Sequence, residues 1–289
     1  MELLTPQEHS GYLLIDSGNF EKLERFGDQI LRRPEPQAIW SRSMSEEEWE
    51  KSADAFFKKD KGSQEKGEWI TKKTTPEKWA MNYVPLDLKI KLSLSSFKHV
   101  GVFPEQAVNW DYITEKVRKI ENAQVLNLFA YTGVASVAAR AAGAKVTHVD
   151  AIKQVITWSR ENLEMNQLDG VSWMVEDAMK FVKREVRRGK SYNGIILDPP
   201  AYGRGPNGEK WVLEEQLNEM IAECSRLLKN KDFFLIINCY SLGFSALILD
   251  NLLKEHFAHM PNYQSGELFL QDSFDKRLPL GVFGRFSDV

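Results

Sequence analysis

Along the first 95 residues, apolar and polar positions form short runs with frequent breaks. Residues 11–16 (GYLLID) and 38–41 (AIWS) read as short strands. Ser45 followed by Glu46, Glu47 and Glu48 reads as a helix start, a serine cap with acids near the positive end of the dipole. That helix is expected to continue through Trp49 and Ala55 to Phe57. Residues 58–66 (KKDKGSQEK) read as a solvated loop. Between 79 and 94 the chain alternates loosely, with Leu88, Ile90, Leu92 and Leu94 at the period of a strand. Residues 1–95 are therefore expected to form a small, mostly β accessory domain.

From about residue 98 the pattern changes to strand, loop and helix in repetition. Pro104 opens a helix over 104–120, proline being suited to the first helical position. Strands are expected at 125–129, 145–149, 171–175, 194–197 and 233–238, with helices at 135–142, 152–165, 178–188 and 213–228 between or after them. In the helix at 152–165, Ile152, Val155, Ile156 and Leu163 fall on one face. Such alternation implies an α/β domain, residues 96–289, with a doubly wound, mainly parallel sheet. The end breaks the rhythm. Residues 267–270 and 281–286 are strand-like runs joined by a polar loop, expected as an antiparallel hairpin closing the sheet edge.

Composition adds bounds. A chain of 289 residues, 43% hydrophobic and 27% charged, is globular in character and long enough for one large or two smaller domains. No apolar run approaches the ~20 residues of a membrane span. No basic stretch followed by an apolar segment marks a secretory signal at the N-terminus. Cys224 and Cys239 are the only cysteines, so free thiols in a reducing cytoplasm are expected. The formal net charge of -3 argues against a surface that attracts nucleic acid everywhere, but it leaves room for a local basic face. Lys180, Lys183, Arg184, Arg187, Arg188 and Lys190 crowd one helix and its exit, as an RNA-contacting patch or as a solvated face near a helix C-terminus. His148 lies within a strand and is expected to be packed. His9, His256 and His259 show no metal-ligand pattern, and no metal is expected.

In open parallel sheets, ligands bind beyond the carboxyl ends of the strands. The first strand of the α/β domain is followed by Asn127-Leu-Phe-Ala-Tyr-Thr-Gly133 and a run of small residues. Asp150 follows the second strand, seventeen positions beyond Gly133, where a carboxylate can accept both ribose hydroxyls of an adenosine. This spacing fits a dinucleotide or S-adenosylmethionine. A pyrophosphate requires glycine where the loop backbone approaches it, yet Phe129 and Tyr131 stand there. The sulfonium donor fits better. After the third strand, Asp177 reads either as a partner for an adenine amino group, with the amide of Ala178 facing the ring, or as a helix N-cap. The fourth strand ends in Asp198-Pro-Pro-Ala-Tyr202, a rigid polar edge suited to hold a planar amino group or ring nitrogen, with an aromatic ring to stack on a base. Residues 203–210 follow as a loop suited to close over substrate.

Taken together, Asn127 to Gly133 (NLFAYTG), His148-Val-Asp150, Glu176-Asp177-Ala178 and Asp198-Pro-Pro200 resemble the class I methyltransferases grouped with bacterial large-subunit ribosomal RNA methyltransferases, of the cytosine-C5 and guanine-N7 types. The likeness runs from about residue 100 to the C-terminus. It implies a seven-stranded sheet, S-adenosylmethionine as donor and a base in ribosomal RNA as acceptor. It also implies cofactor contacts from Phe103 and Gln106, in Gly101-Val-Phe-Pro-Glu-Gln106. The candidate cofactor residues are then Phe103, Gln106, Phe129, Tyr131, Thr132, Gly133, Asp150, Ala151, Asp177, Ala178 and Asp198, with Asp198 and Tyr202 as catalytic candidates. Relatives that methylate carbon 5 of cytosine commonly carry a PUA-type domain, which residues 1–95 do not resemble. They also keep a nucleophilic cysteine at the position of Cys239, which here reads as that nucleophile or as a small buried residue. Cys224 falls on an apolar helix face and reads as core. A methyltransferase for protein or a small molecule, a nicotinamide-dependent oxidoreductase and a non-catalytic RNA-binding module are the competing readings.

Overall fold

The computed structural model describes residues 1–7, 11–60, 66–240 and 243–289. His9 and residues 61–65 of the expected loop lie outside the described residues. The chain divides into two compact units. The accessory unit is Thr5–Ala107 with Phe269–Pro279, and the sheet unit is Met1–Leu4, Val108–Leu268 and Leu280–Val289.

The first strand, β1 (Glu2–Leu4), belongs to the sheet unit. The accessory unit then builds a sheet in the order β2 (Tyr12–Gly18), β3 (Glu21–Phe26), β4 (Gln29–Pro34), β5 (Ala55–Lys59) and β6 (Gly67–Thr71). Between β4 and β5 lies α1 (Glu46–Ser52). Its start follows the sequence: Ser45 Oγ accepts from the Glu48 amide, and Glu48 Oε2 accepts from the Ser45 amide at 2.7 Å. Its end does not. The helix stops at Ser52 because Ala53 turns extended, and Ala55 and Phe56 pair with Leu31 and Arg32 of β4. Residues 38–41 are no strand either. The carbonyls of Ala38 and Trp40 accept from the amides of Phe20 and Asn19, so this backbone closes a turn instead of joining a ladder. The region 79–94 is an antiparallel hairpin of β7 (Lys78–Tyr83) and β8 (Leu88–Ser93).

An ionic cluster fills part of this unit. Arg33 grips the fully buried Glu24 through Nε and Nη2 at 2.8 and 2.9 Å, Tyr12 donates to the same carboxylate at 2.9 Å, and Lys22 pairs with Glu35 at 3.2 Å. Paired charges are tolerated in a core where single ones are not. Glu105 is also buried, and desolvation raises its pKa to about 7.

The expected helix at 104–120 begins as a 3-10 turn, Pro104–Gln106, and continues as α2 (Ala107–Arg118). The strands and helices β9 (Gln124–Leu128), α3 (Val134–Ala141), β10 (Lys145–Asp150), α4 (Lys153–Met165), β11 (Val171–Val175), α5 (Ala178–Arg187) and β12 (Gly194–Leu197) follow. A small hairpin comes next in place of the expected loop, β13 (Tyr202–Arg204) with β14 (Lys210–Val212). Then come α6 (Leu213–Ser225), β15 (Phe234–Cys239), α7 (Ala246–His256), β16 (Gln264–Gln271) and β17 (Arg277–Ser287). The sheet order is β1-β16-β17-β15-β12-β9-β10-β11. Strands β9 to β12 and β15 are mutually parallel, and β17 runs antiparallel to β15.

The sheet thus has eight strands, one more than the resemblance implies, because β1 pairs parallel with β16. Gly266 permits this: a Cβ there would lie 1.8 Å from the Glu2 carbonyl oxygen. The core carries near-continuous apolar runs, such as the fully buried Phe234, Leu235, Ile236 and Ile237, as expected of a sheet covered on both faces. On α4, Ile156 and Leu163 face that core, but Ile152 caps the helix and is 51% exposed, so the expected four-residue stripe is shorter. From β9 the chain winds outward to β10 and β11, then returns to β12 on the other side. The switch point between β9 and β12 is where such sheets bind ligands.

Candidate cofactor and acceptor site

The loop after β9 is bent by three left-handed residues, Phe129 (φ 54°), Tyr131 (φ 50°) and Gly133 (φ 78°). For two bulky aromatic residues this is strain of about 1–2 kcal/mol each, which the surroundings must hold. Hydrogen bonds do so. The Ala130 amide donates to Val149 O at 3.1 Å, the Tyr131 amide to Asp150 Oδ2 at 2.9 Å, and the Gly133 amide to Ala130 O at 3.0 Å. A dinucleotide loop offers its amides to a pyrophosphate; these three are already committed within the fold. Gly133 is required twice over, since a Cβ would also come 3.0 Å from Ser159 Cβ and 3.1 Å from His148 Cε1.

Beneath this loop runs a buried polar relay. Asn127 Nδ2 donates to Ser136 Oγ at 2.9 Å, and Ser136 Oγ lies 3.0 Å from His148 Nδ1. His148 Nε2 lies 3.4 Å from Ser159 Oγ, which donates to Tyr131 O at 2.7 Å. One tautomer satisfies the set: Ser136 donates to Nδ1, and the Nε2 proton faces Ser159. His148 is fully buried, and desolvation holds its pKa down at about 3, so it is a neutral packing residue, as its place in a strand implies. Asn162 Nδ2 fastens the other side of the loop by donating to Thr132 O at 2.8 Å.

Asp150 ends β10. Its carboxylate accepts from Tyr131 N and from Ile152 N, each at 2.9 Å, and burial raises its pKa against those hydrogen bonds. Each oxygen keeps a further lone pair, the requirement for receiving a ribose diol. Ala151 follows it, half-buried. Asp177 is the N-cap of α5, accepting from the Lys180 amide at 2.9 Å, with Ala178 buried behind it. The capping role therefore holds for Asp177, and its second oxygen is not engaged by that cap.

Asp198 directly follows β12 and is half-buried. The backbone after it is pinned: Trp211 Nε1 donates to Pro200 O at 2.7 Å, and the Leu213 amide to Ala201 O at 3.0 Å. The Trp211 ring packs on Phe129, centroids 4.7 Å apart, tying the loop after β9 to the edge after β12 across the switch point. Tyr202 is 52% exposed beside that edge. Neither the strained backbone at Phe129 and Tyr131 nor the anchoring by Trp211 is visible in the sequence. Bulky residues give no left-handed signal, and a single tryptophan in a loop does not announce its partner.

Cys239 ends β15 with 1% exposure, and burial together with the nearby Asp198 charge raises its thiol pKa well above the ordinary range. Cys224 is core, its Sγ 3.9 Å from Met220 Sδ. The cations of α5 are largely paired: Lys180 with Glu209, Lys183 with Glu219 at 2.6 Å, Arg184 with Glu176 at 2.5 Å and Arg188 with Glu185 at 3.1 Å. That favours the solvated-face reading of the cluster. Phe103 and Gln106 belong to the accessory unit, where the Phe103 ring packs on His99 with centroids 5.1 Å apart. Among the described residues no group of three His, Cys, Asp or Glu side chains is arranged to hold a metal, and no helix is long and apolar enough to cross a membrane.

The donor set fits a nucleoside without a pyrophosphate: a desolvated carboxylate at Asp150, loop amides already bonded, and bulky side chains at Phe129 and Tyr131. Comparison with known proteins agrees. A family model described as S-adenosylmethionine-dependent methyltransferase matches residues 47–264. The chain is 30% identical over 220 residues to a ribosomal RNA large subunit methyltransferase K/L of Pseudoalteromonas atlantica, covering 75% of this chain and 29% of that protein. It is 33% identical over 144 residues to the protein of that name from Shewanella frigidimarina, covering 48% of this chain and 20% of the relative. The chain thus spans less than a third of the length of these curated relatives. A crystal structure of an S-adenosylmethionine-dependent methyltransferase from Agrobacterium tumefaciens superposes with a TM-score of 0.93 at 38% identity, covering 100% of this chain and 94% of that one.

Proposed function

The chain belongs to the S-adenosylmethionine-dependent methyltransferase family, and from that premise we propose that it methylates a base of RNA, in the ribosomal large subunit, at a nitrogen atom. The observation that carries this reading is the edge from Asp198 to Tyr202. It is fastened by Trp211, with a carboxylate at one end and an exposed aromatic ring at the other. A carboxylate accepts from an exocyclic amine or a ring N–H, and a ring takes the face of an extruded base. The names of the curated relatives point to the same substrate. A cytoplasmic setting goes with this reading.

When bound, S-adenosylmethionine supplies a methyl group activated by its sulfonium centre. The chain's own residues hold and align. Asp150 receives the ribose hydroxyls, Asp177 the adenine amino group, and the backbone at Tyr131, Thr132, Gly133, Ala151 and Ala178 shapes the walls beside Phe129. Asp198 orients the acceptor nitrogen, and Tyr202 stacks on the acceptor base. Holding two reactants in line supplies about 7–11 kcal/mol of barrier reduction, so no covalent enzyme intermediate is required. Carbon-5 chemistry would instead need a thiolate, and Cys239 is held as a thiol by burial and by the Asp198 charge. The test is Cys239→Ala assayed for methyl transfer to RNA, with nucleoside analysis of the product. Retained transfer and an N-methyl nucleoside support the reading; loss of transfer in a folded variant, or a 5-methylpyrimidine, overturns it.

A further inference from the structure

The accessory unit carries a shallow, open pocket. It measures about 310 Å³ and is lined by Trp69, Thr71, Thr75, Glu77, Leu94 and Ser95. That size lies at the small end of the ~300–1,000 Å³ range of ligand sites and suits one planar heterocycle. The indole of Trp69 is fixed in place. Its Nε1 donates to Phe97 O at 3.1 Å, and the Phe57 ring meets it edge-on with centroids 5.3 Å apart. Other lining residues are also tied down, since Thr75 Oγ1 donates to Asp54 O at 2.9 Å and the Leu94 amide to Glu77 O at 2.9 Å. A rigid ring therefore lines a small space together with a carboxylate and three hydroxyl-bearing side chains.

Charge adds a second, independent observation. The chain as a whole is acidic, yet residues 66–98 contain seven lysines against three acids. Lys72, Lys73 and Lys78 are exposed and adjacent in sequence to the cavity residues Thr71 and Glu77. Aromatic stacking beside local positive charge is the chemistry that takes single-stranded nucleic acid. Glu77 accepts only, so it selects an edge that donates, such as the amino or imino group of a base.

We propose that this pocket holds one unpaired base of the RNA substrate, stacked on Trp69 and bonded to Glu77, with flanking phosphates drawn to Lys72, Lys73 and Lys78. The inference rests on the RNA reading above and adds a substrate-selecting contact to it. The test uses the full chain and a short, fluorescently labelled single-stranded RNA of mixed sequence, followed by anisotropy across a salt series. Trp69→Ala weakens binding roughly 5- to 150-fold, the worth of one stacked base, and Trp69→Phe restores most of it. In the methylation assay Trp69→Ala raises KM for RNA while kcat and S-adenosylmethionine affinity stay unchanged. The Lys72→Ala, Lys73→Ala double variant lowers the slope of log affinity against log salt by about 1–2. Glu77→Gln, a conservative change at an exposed position, shifts preference among RNAs without unfolding the unit. If the wild-type chain methylates RNA and folded Trp69 and Glu77 variants bind and turn over the same RNAs equally well, the cavity is not a base site and the inference falls alone. If the wild-type chain neither binds nor methylates any RNA, the RNA reading falls and takes this inference with it.

Discussion

His148→Gln isolates the relay beneath the cofactor loop, and its effect depends on pH in a direction the structure sets. Glutamine keeps a donor and an acceptor toward Ser136 and Ser159 but does not titrate. In the folded chain the imidazole is fully buried with a pKa near 3, against 6.5 for an exposed histidine. A depressed pKa means that the folded state excludes the proton. The stability this histidine allows is therefore complete above pH 6.5 and is lost as pH falls through the window from 6.5 to about 3. A tenfold change in proton affinity is worth about 1.4 kcal/mol, so the loss reaches about 2 kcal/mol at pH 5 and about 5 kcal/mol at the bottom of the window. Glu105 opposes this trend in the wild-type chain, because its pKa is raised to about 7. The stability tied to its neutral form is present below 4.5 and lost as pH rises through about 7. Between pH 7 and 5 the two contributions nearly cancel, so a wild-type profile alone tells little. The informative quantity is the difference between wild type and His148→Gln in urea unfolding at pH 7, 6 and 5. Whatever hydrogen bonding the variant loses enters as a constant offset. A neutral, desolvated imidazole requires the wild-type advantage to shrink by about 2 kcal/mol over this range. Parallel profiles would refute it.

Three further outcomes are expected. Asp150→Ala removes the ribose partner and the acceptor of the Tyr131 and Ile152 amides, and calorimetry is expected to show S-adenosylmethionine affinity reduced by about 1.5–3 kcal/mol; unchanged affinity would remove Asp150 from the site. Gly133→Ala forces a side chain into a left-handed position against Ser159 and His148, and thermal unfolding should report a loss of at least about 1–2 kcal/mol, with weaker donor binding in the folded fraction. Glu105→Gln removes the buried carboxyl that must ionise above pH 7, so the variant should gain on wild type as pH rises from 6 to 8, by about 1.4 kcal/mol; a gain on acidification instead would reverse the sign of the effect.

Where burial is strong on both faces of the sheet, local pattern and final structure coincide. The strands β9, β10, β12 and β15 are short apolar or β-branched runs between turn residues. Asp150, Asp177 and Asp198 could be marked because a parallel sheet places strand ends at the ligand edge. What escapes the sequence depends on distant partners. Phe56 and Phe57 continue the apolar spacing of α1, but pairing with β4 and β6 outweighs helical preference there. The three residues of β1 carry no strand signal of their own and are ordered by β16, more than 260 positions away. At Phe129 and Tyr131 local preference is overruled outright, since the loop amides donate to Val149 O and Asp150 Oδ2 and Ser159 Oγ donates to Tyr131 O, and these bonds hold bulky residues in that conformation. Local preference is most often broken where a chain builds a site, and the loop beside Asp150 follows that rule.

The most direct test of the RNA assignment is transfer of tritium from methyl-labelled S-adenosylmethionine to total RNA from cells lacking the enzyme, with Asp198→Ala as the control. The expected result is label in large-subunit ribosomal RNA with wild type and its loss in a folded Asp198→Ala chain that still binds the donor. Label confined to a protease-sensitive or low-molecular-weight product would contradict it.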